Sequence, residues 1–321
     1  MLPDLKFSIA PMLDWTDRHQ RFFMRLISQR AHLYSEMITT GALIYNDPER
    51  YLPFNEEEHS VALQLGGNHP EELARCARLA QDYAYDEVNL NVGCPSDRVK
   101  NGRFGACLMA SPKIVAEGVA AMKAEVDIPV TVKHRIGIDE QDSWDELCEF
   151  VETVAAVSCD AFIVHARKAW LSGLSPKQNR EVPPLKYDVV HRLKKTYPQL
   201  IFVLNGGITN LLQTQEQLAF VDGVMMGREA YHNPYSLVEY DAVLFNDQHK
   251  IPSRFEILES LYPYIEKQLS LGNRLHDITR HILGLFLGQP NAKIWRRYLS
   301  ENAPKKDADL SVLIKATELL K

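Results

Sequence analysis

EVNLNVGCPSDRVKNGRFGACLMASPKIVAEGVAAMKAEVDIPVTVKHR, residues 87–135, reads as strand, long loop, helix and strand. Glu87–Asn91 and Val130–Arg135 are short apolar and β-branched runs. Pro112–Glu125 between them has apolar residues at helical spacing, with Pro112 suited to a first turn and Ser111 to an N-cap. Two strands joined through a helix lie parallel in one sheet. The unit recurs outward in both directions. Further strands are expected at Lys6–Pro11, Leu33–Met37, Val61–Gly66, Ala161–His165, Ile201–Asn205 and Gly223–Met226. Helices are expected near Thr16–Ser28, Pro70–Tyr83, Ser143–Val157, Tyr187–Thr196 and Leu211–Ala219. Eight such strands in about 230 residues match an α/β fold of the (β/α)8 TIM-barrel type. A doubly wound open sheet is the competing fold, but no G-x-G-x-x-G follows the first strand.

After about residue 240 the pattern loses its strands. Helical periodicity alone runs through Phe255–Leu269, His276–Leu287, Ala292–Glu301 and Asp309–Leu320, punctuated by Gly272, Gly288-Gln289-Pro290 and Pro304. The expected organisation is a catalytic barrel over residues 1–242 and a small all-helical C-terminal domain over 243–321, with a linker near Asn246–Pro252.

The 321 residues are 45% hydrophobic and 24% charged, a globular composition that excludes a disordered or fibrous chain. The longest charge-free stretch, Thr196 to Gln215, is interrupted by Asn205-Gly206-Gly207 and by Thr and Gln, so no membrane span is expected. The opening MLPDLKFSIAPML lacks a basic region before an apolar run, so no signal peptide is expected either. Five cysteines without a C-x-x-C argue against a disulfide framework or a zinc site and for a cytoplasmic protein. Net charge is -6, yet residues 166–195 hold eight Lys and Arg against Glu181 and Asp188, and residues 273–306 hold seven against Asp277 and Glu301. Two basic patches on an acidic body suit local contact with a polyanion, although solvated helix faces give the same pattern.

A barrel of this type places its active site at the C-terminal ends of the strands. Polar residues collect there on six strands: Glu36, Gln64, Asn91 leading to Cys94, Lys133 with Arg135, His165, and Asn205. Burying one is costly unless it meets a ligand or a partner, and six together mark a site. Asn205-Gly206-Gly207 and Gly227-Arg228 follow the last two strands, where glycine backbone and an arginine suit a phosphate; tight turns are the alternative. Lys133 and Arg135 share one strand face. Lys133 suits a Schiff base, a phosphate or an anionic ring. His165 is open between general base, metal ligand, donor to a cofactor and a structural role, but no second ligand at metal spacing accompanies it, so no metal is expected. Cys94 stands on a glycine-hinged loop at the barrel mouth, which favours a reactive role over a buried one. Glu36 has no assigned role.

VNLNVGCPSDRVKNGRFGA, residues 88–106, closely resembles the signature of the tRNA-dihydrouridine synthases, which are FMN enzymes. So do Ala10-Pro11-Met12, Gln64-Leu65-Gly66, Lys133-His134-Arg135-Ile136-Gly137, His165-Ala166-Arg167, Asn205-Gly206-Gly207-Ile208 and Met226-Gly227-Arg228, in order along the barrel. Lys168–Pro184 and Trp295-Arg296-Arg297-Tyr298-Leu299 resemble the bacterial A-type branch, which acts on uridines 20 and 20a of the tRNA D-loop. The resemblance implies FMN phosphate at Gly206, Gly207, Gly227 and Arg228, and Pro11, Met12 and Leu13 along the isoalloxazine. It also implies Gln64 at the polar edge, Lys133 at the pyrimidine end, and His165 as a donor to the cofactor beside Asn205. NADPH would be the reductant. Cys94 would protonate C5 of the uracil, for which an ordinary thiol, mostly protonated at neutral pH, is suited. The loop from Ser96 to Gly105 would present it. Asn91 would hold the uracil edge, with Arg135 a weaker candidate for that task. A base leaving its stack needs grip elsewhere on the tRNA, for which Lys177, Arg180, Lys293, Arg296 and Arg297 are the candidates. The chain is expected to act as a monomer. A free-pyrimidine flavoenzyme of the dihydroorotate dehydrogenase kind is the alternative, though it would need no basic helical appendage.

Overall fold

A computed structural model describes residues 1–96 and 102–320. Eight strands, β1 Phe7–Ile9, β2 Leu33–Thr39, β3 Val61–Gly66, β4 Glu87–Val92, β5 Val130–Arg135, β6 Phe162–His165, β7 Phe202–Asn205 and β8 Gly223–Met226, form one parallel sheet in the order β1-β8-β7-β6-β5-β4-β3-β2. Each lies within two residues of its expected bounds. The sheet curls until its two edges meet. Ile9 N–H donates to the His32 carbonyl at 2.9 Å and His32 N–H to that of Phe7 at 3.0 Å, closing the TIM barrel through a single parallel bridge. Most strand residues are buried, as expected where helices cover the outside and side chains fill the inside.

Alternation along the strands sorts the interior. On one side Tyr34, Ala62, Ala161, Ile163, Val203 and Met225 pack with Leu5 and Ala10 into an apolar cluster. On the other, β3 to β5 turn Gln64, Glu87, Asn89, Asn91 and Thr131 inward, all buried. Register puts Gln64 beside Asn89 and Asn89 beside Thr131, one polar row across three strands.

Helices Pro70–Asp82, Pro112–Glu125, Trp144–Ala155, Tyr187–Thr196 and Leu211–Leu218 supply the crossovers. Pro112 opens its helix as expected. Ser111 occupies the N-cap position, but with ψ at 63° its side chain makes no capping bond, so the cap read from sequence is not formed.

Contacts divide the chain into two compact units: Met1–Leu13 with His32–Gly227, which is the barrel, and Asp14–Ala31 with Arg228–Lys321. The division falls after Gly227 rather than at 242/243, and residues 14–31 join the second unit. Long-range bonds within that unit explain this. Asp17 accepts from Arg280 Nη2 at 2.5 Å and His281 Nε2 at 2.9 Å, and Asp241 accepts from the Ser28 hydroxyl at 2.5 Å. Phe22 stacks on Tyr264 with centroids 3.9 Å apart.

The second unit contains helices Arg254–Ser270, Leu275–Thr279, Ala292–Asn302 and Leu310–Glu318. The helix expected over His276–Leu287 stops at Thr279. Beyond it the chain turns through i to i+3 bonds, from Leu285 N–H to Ile282 and from Leu287 N–H to Gly284. A Cβ on Gly284 would stand 2.3 Å from the His232 carbonyl oxygen, so the two backbones approach too closely for any other residue. Among the described residues no helix is long and apolar enough to cross a membrane.

Candidate active site

Cys94 lies two residues past β4 and is half-buried. Its backbone N–H and that of Gly93 both donate to Asn91 Oδ1, at 2.9 and 3.1 Å, an Asx turn that fixes how the chain leaves the strand. Ala106 N–H donates to the Cys94 carbonyl at 2.9 Å and closes the base of the loop. The thiol lies 3.5 Å from the Ser96 hydroxyl. Residues 97–101 of the loop expected to present the thiol lie outside the described residues.

Asn91, expected at the uracil edge, is engaged by the chain itself. Its Oδ1 takes the two backbone donors and its Nδ2 donates to Gln64 Oε1 at 2.9 Å, which leaves one N–H without a partner among the described residues. Arg135, the second candidate, is 4% exposed. Its Nε donates to the Gly93 carbonyl at 2.8 Å, and its Nη1 to those of Lys168 and Asn179 at 3.1 and 3.2 Å. Three of its five donors thus brace the loop before Cys94 against the insert after β6, and Nη2 has no partner among the described residues. Burial, then the nearby Arg180 and Arg167, lowers its pKa to about 10, which still leaves it charged at neutral pH.

Lys133 donates to Asn205 Oδ1 at 3.1 Å, and Asn205 Nδ2 donates to the Met225 carbonyl at 2.8 Å. Burial and the neighbouring Arg135 bring the Lys133 ammonium down to about 7. His165 pairs in register with Arg135 on one side and Asn205 on the other. Burial, then Arg135, Lys133 and Arg167, holds its pKa well below the usual histidine range, so the ring is neutral at pH 7. Its Nδ1 is buried without a hydrogen-bond partner among the described residues.

Gly206 and Gly207 have φ of 116° and 74°. A Cβ on Gly207 would meet Leu185 Cδ1 at 2.4 Å and the Tyr187 hydroxyl at 2.9 Å. That hydroxyl donates to the Gly206 carbonyl at 2.6 Å. At Gly227 a Cβ would meet only ordinary contacts with Ala10 and Met12, so the chain itself does not demand glycine there. Pro11 and Met12 are half-buried after β1, and Leu13 is 55% exposed.

The structure therefore brings Gln64, Asn91, the Cys94 backbone, Lys133, Arg135, His165 and Asn205 together at one end of the barrel. Lys177 and Arg180 are exposed in the insert, around the turn Gln178–Arg180. Arg228, Lys293, Arg296 and Arg297 belong to the second unit. Arg228 is exposed at the start of the short helix Arg228–His232. On Ala292–Asn302, Lys293 and Arg297 are exposed and Arg296 half-buried, while Trp295 is fully buried against Phe286 at 5.0 Å. Sequence reasoning missed Tyr187, Asn179, and the inward Glu87, Asn89 and Thr131. For Glu87 and Asn89 a signal existed, since Glu-x-Asn-x-Asn at period two is a polar stripe on one strand face.

A family model described as dihydrouridine synthase matches residues 8–321. The chain belongs to the dihydrouridine synthase family. The resemblance read from residues 88–106 and the barrel motifs is thereby borne out, and the protein is an enzyme of that family. A protein of Shewanella oneidensis named tRNA-dihydrouridine(20/20a) synthase is 62% identical over 97% of this chain and 92% of its own length. Proteins of the same name from Salmonella typhimurium and Escherichia coli are 57% and 56% identical over 99% of the chain and 96% of their own lengths. Among solved structures, an old yellow enzyme homologue from Zymomonas mobilis matches with a TM-score of 0.53 at 12% identity, over 79% of this chain and 91% of that one, a likeness of fold.

Proposed function

We propose that this chain reduces the C5=C6 bond of uridines 20 and 20a in the D-loop of tRNA, using FMN and NADPH. The names of its relatives favour this substrate over a free pyrimidine. The residues at the barrel mouth fit the cofactor. The buried, unpartnered Nδ1 of a neutral His165 and a Lys133 ammonium with no ion pair among the described residues suit a polar, electron-rich ring. The Gly206-Gly207 turn, with Gly227 after β8 and Arg228 next in the chain, suits its phosphate. Pro11, Met12, Leu13 and Gln64 would border the ring. The chemistry FMN supplies when bound is delivery to C6 of a hydride drawn from NADPH.

The chain's own residues do the rest. Cys94 holds the proton that goes to C5, and solvent returns a proton to its sulfur. Asn91, with one N–H remaining, and Arg135 Nη2 orient the pyrimidine. Lys133 and Arg135 stabilise negative charge that develops beside them. Lys177 and Arg180 from the insert, and Lys293, Arg296 and Arg297 from the helical region 243–321, hold phosphates of the tRNA. The enzyme works as a monomer in the cytoplasm, where its substrate is.

The observation that carries this reading is the Asx turn at Asn91, which fixes the backbone of Cys94 just past the end of β4, where Asn91 pairs in register with Lys133. Purified protein with NADPH and unmodified tRNA transcript should form dihydrouridine at 20 and 20a, and Cys94→Ala should not, while still oxidising NADPH. A protein that oxidises NADPH and leaves tRNA untouched would overturn the substrate.

A further inference from the structure

We propose that Thr131, Asn89 and Glu87, none of which reaches the barrel mouth, are positioning residues for the Cys94 thiol, acting through one directional chain of side-chain hydrogen bonds. The inference rests on the role of Cys94 proposed above.

The direction of the chain is forced from its two ends. Gly93 and Cys94 present backbone N–H groups, which only donate, so the atom of Asn91 that meets both is its oxygen. Its nitrogen must then face Gln64, whose oxygen accepts it at 2.9 Å. Gln64 Nε2 therefore donates onward to Asn89 Oδ1 at 2.7 Å, and Asn89 Nδ2 to Thr131 Oγ1 at 2.8 Å. The Thr131 hydroxyl, having accepted, donates to Glu87 Oε1 at 2.5 Å. The same oxygen accepts from the Tyr34 hydroxyl at 3.0 Å, and Oε2 lies 3.1 Å from His32 Nε2. No carboxamide along the path can turn over without setting donor against donor or acceptor against acceptor.

Nor can solvent replace a link. Glu87, Asn89 and Thr131 are fully buried and Gln64 is 1% exposed. Ala161 just before β6, Ile163 on β6, Val203 on β7 and Met225 on β8 fill the interior on that side, so the barrel does not need polar filling here to close. Three carboxamides in sequence give Asn91 one orientation, and that orientation holds the turn carrying the thiol.

The test compares full-length Thr131→Val, which keeps the shape and removes the hydroxyl, with Thr131→Ser, which restores it. In Thr131→Val, amide hydrogen exchange at Gly93 and Cys94 should quicken at least ten-fold while the β8 amides stay as protected as before, and Thr131→Ser should return to wild-type protection. With pre-reduced enzyme, the rate of tRNA reduction should fall at least ten-fold with unchanged KM for tRNA. Reduction by NADPH should be unaffected. If Thr131→Val does not fold, Asn89→Asp removes the donor at the neighbouring link and must give the same local signature. Unchanged exchange at Gly93 and Cys94 overturns the proposal, and so does uniform loss of protection across the strands, the mark of a packing role. Wild-type protein inactive on tRNA overturns the functional reading instead, and the exchange result then still decides whether the chain orders the turn.

Discussion

Lys133 Nζ donates to Asn205 Oδ1 at 3.1 Å, a cation held by a neutral amide with no ion pair among the described residues. Burial and the nearby Arg135 set its pKa near 7, against an ordinary 10.5. The unfolded chain therefore binds a proton that the folded one releases between about pH 7 and 10.5, and stability from this group rises with pH across that window. Between pH 7 and 10 the flavin-free wild type should gain stability relative to Lys133→Met, because the buried thiols, whose pKa burial raises, pull the other way in both proteins alike. An electron-rich ligand at this site draws the proton back. FMN binding at pH 8 should take up protons, measurable by calorimetry in buffers of different ionisation enthalpy, and Lys133→Met should abolish that uptake.

His165 tests the site from the opposite direction. Its Nδ1 is buried and unpartnered among the described residues, which costs about 1–3 kcal/mol for a group of this kind. His165→Leu should leave the flavin-free protein as stable as wild type or more so, because the orphaned atom is gone. FMN affinity should fall about ten-fold or more, the worth of a hydrogen bond of about 1.4 kcal/mol. Equilibrium denaturation and flavin fluorescence titration measure the two effects separately. A variant that loses stability and keeps its flavin would show that the imidazole is structural.

Tyr187 governs the turn after β7. Tyr187→Phe removes the donor to the Gly206 carbonyl and should cost about 1 kcal/mol of stability, with FMN affinity several-fold weaker. Gly207→Ala should be worse, because φ is 74° and the new methyl would stand 2.4 Å from Leu185. Thermal melts and flavin binding of the two variants should rank in that order.

What the sequence disclosed here is local. The bounds of β3, β5 and β8 and of helices Pro112–Glu125 and Tyr187–Thr196 are legible because they rest on periodicity and a first-turn proline. The residues at the strand ends were legible for the same reason, since alternation says which of them face the barrel. Partner choice was not. Asn91 and Arg135 look like substrate ligands in sequence, yet most of their donors and acceptors are spent on backbone groups of their own loops. Nothing within a short window distinguishes those outcomes. The union of residues 14–31 with the second unit was hidden too, because it depends on Asp17 meeting Arg280 and His281. The helix expected to reach Leu287 failed because Gly284 answers to the His232 carbonyl, far away in sequence.

The helix Ala292–Asn302 separates folding from binding within one tripeptide. Trp295 is fully buried against Phe286, whereas Arg297 is exposed and Arg296 half-buried. Trp295→Ala should destabilise the protein by about 3–5 kcal/mol, the usual cost of truncating a large buried aromatic. Arg296→Ala and Arg297→Ala should leave the melting temperature nearly unchanged. If these two arginines hold tRNA phosphates, each removal should weaken tRNA binding and reduce the slope of log affinity against log salt by about 0.7–0.9. Filter binding at several salt concentrations reads that slope directly. An unchanged slope in both variants would leave the arginines as the solvated face of an amphipathic helix, and would move the phosphate contacts to Lys177 and Arg180 in the barrel insert.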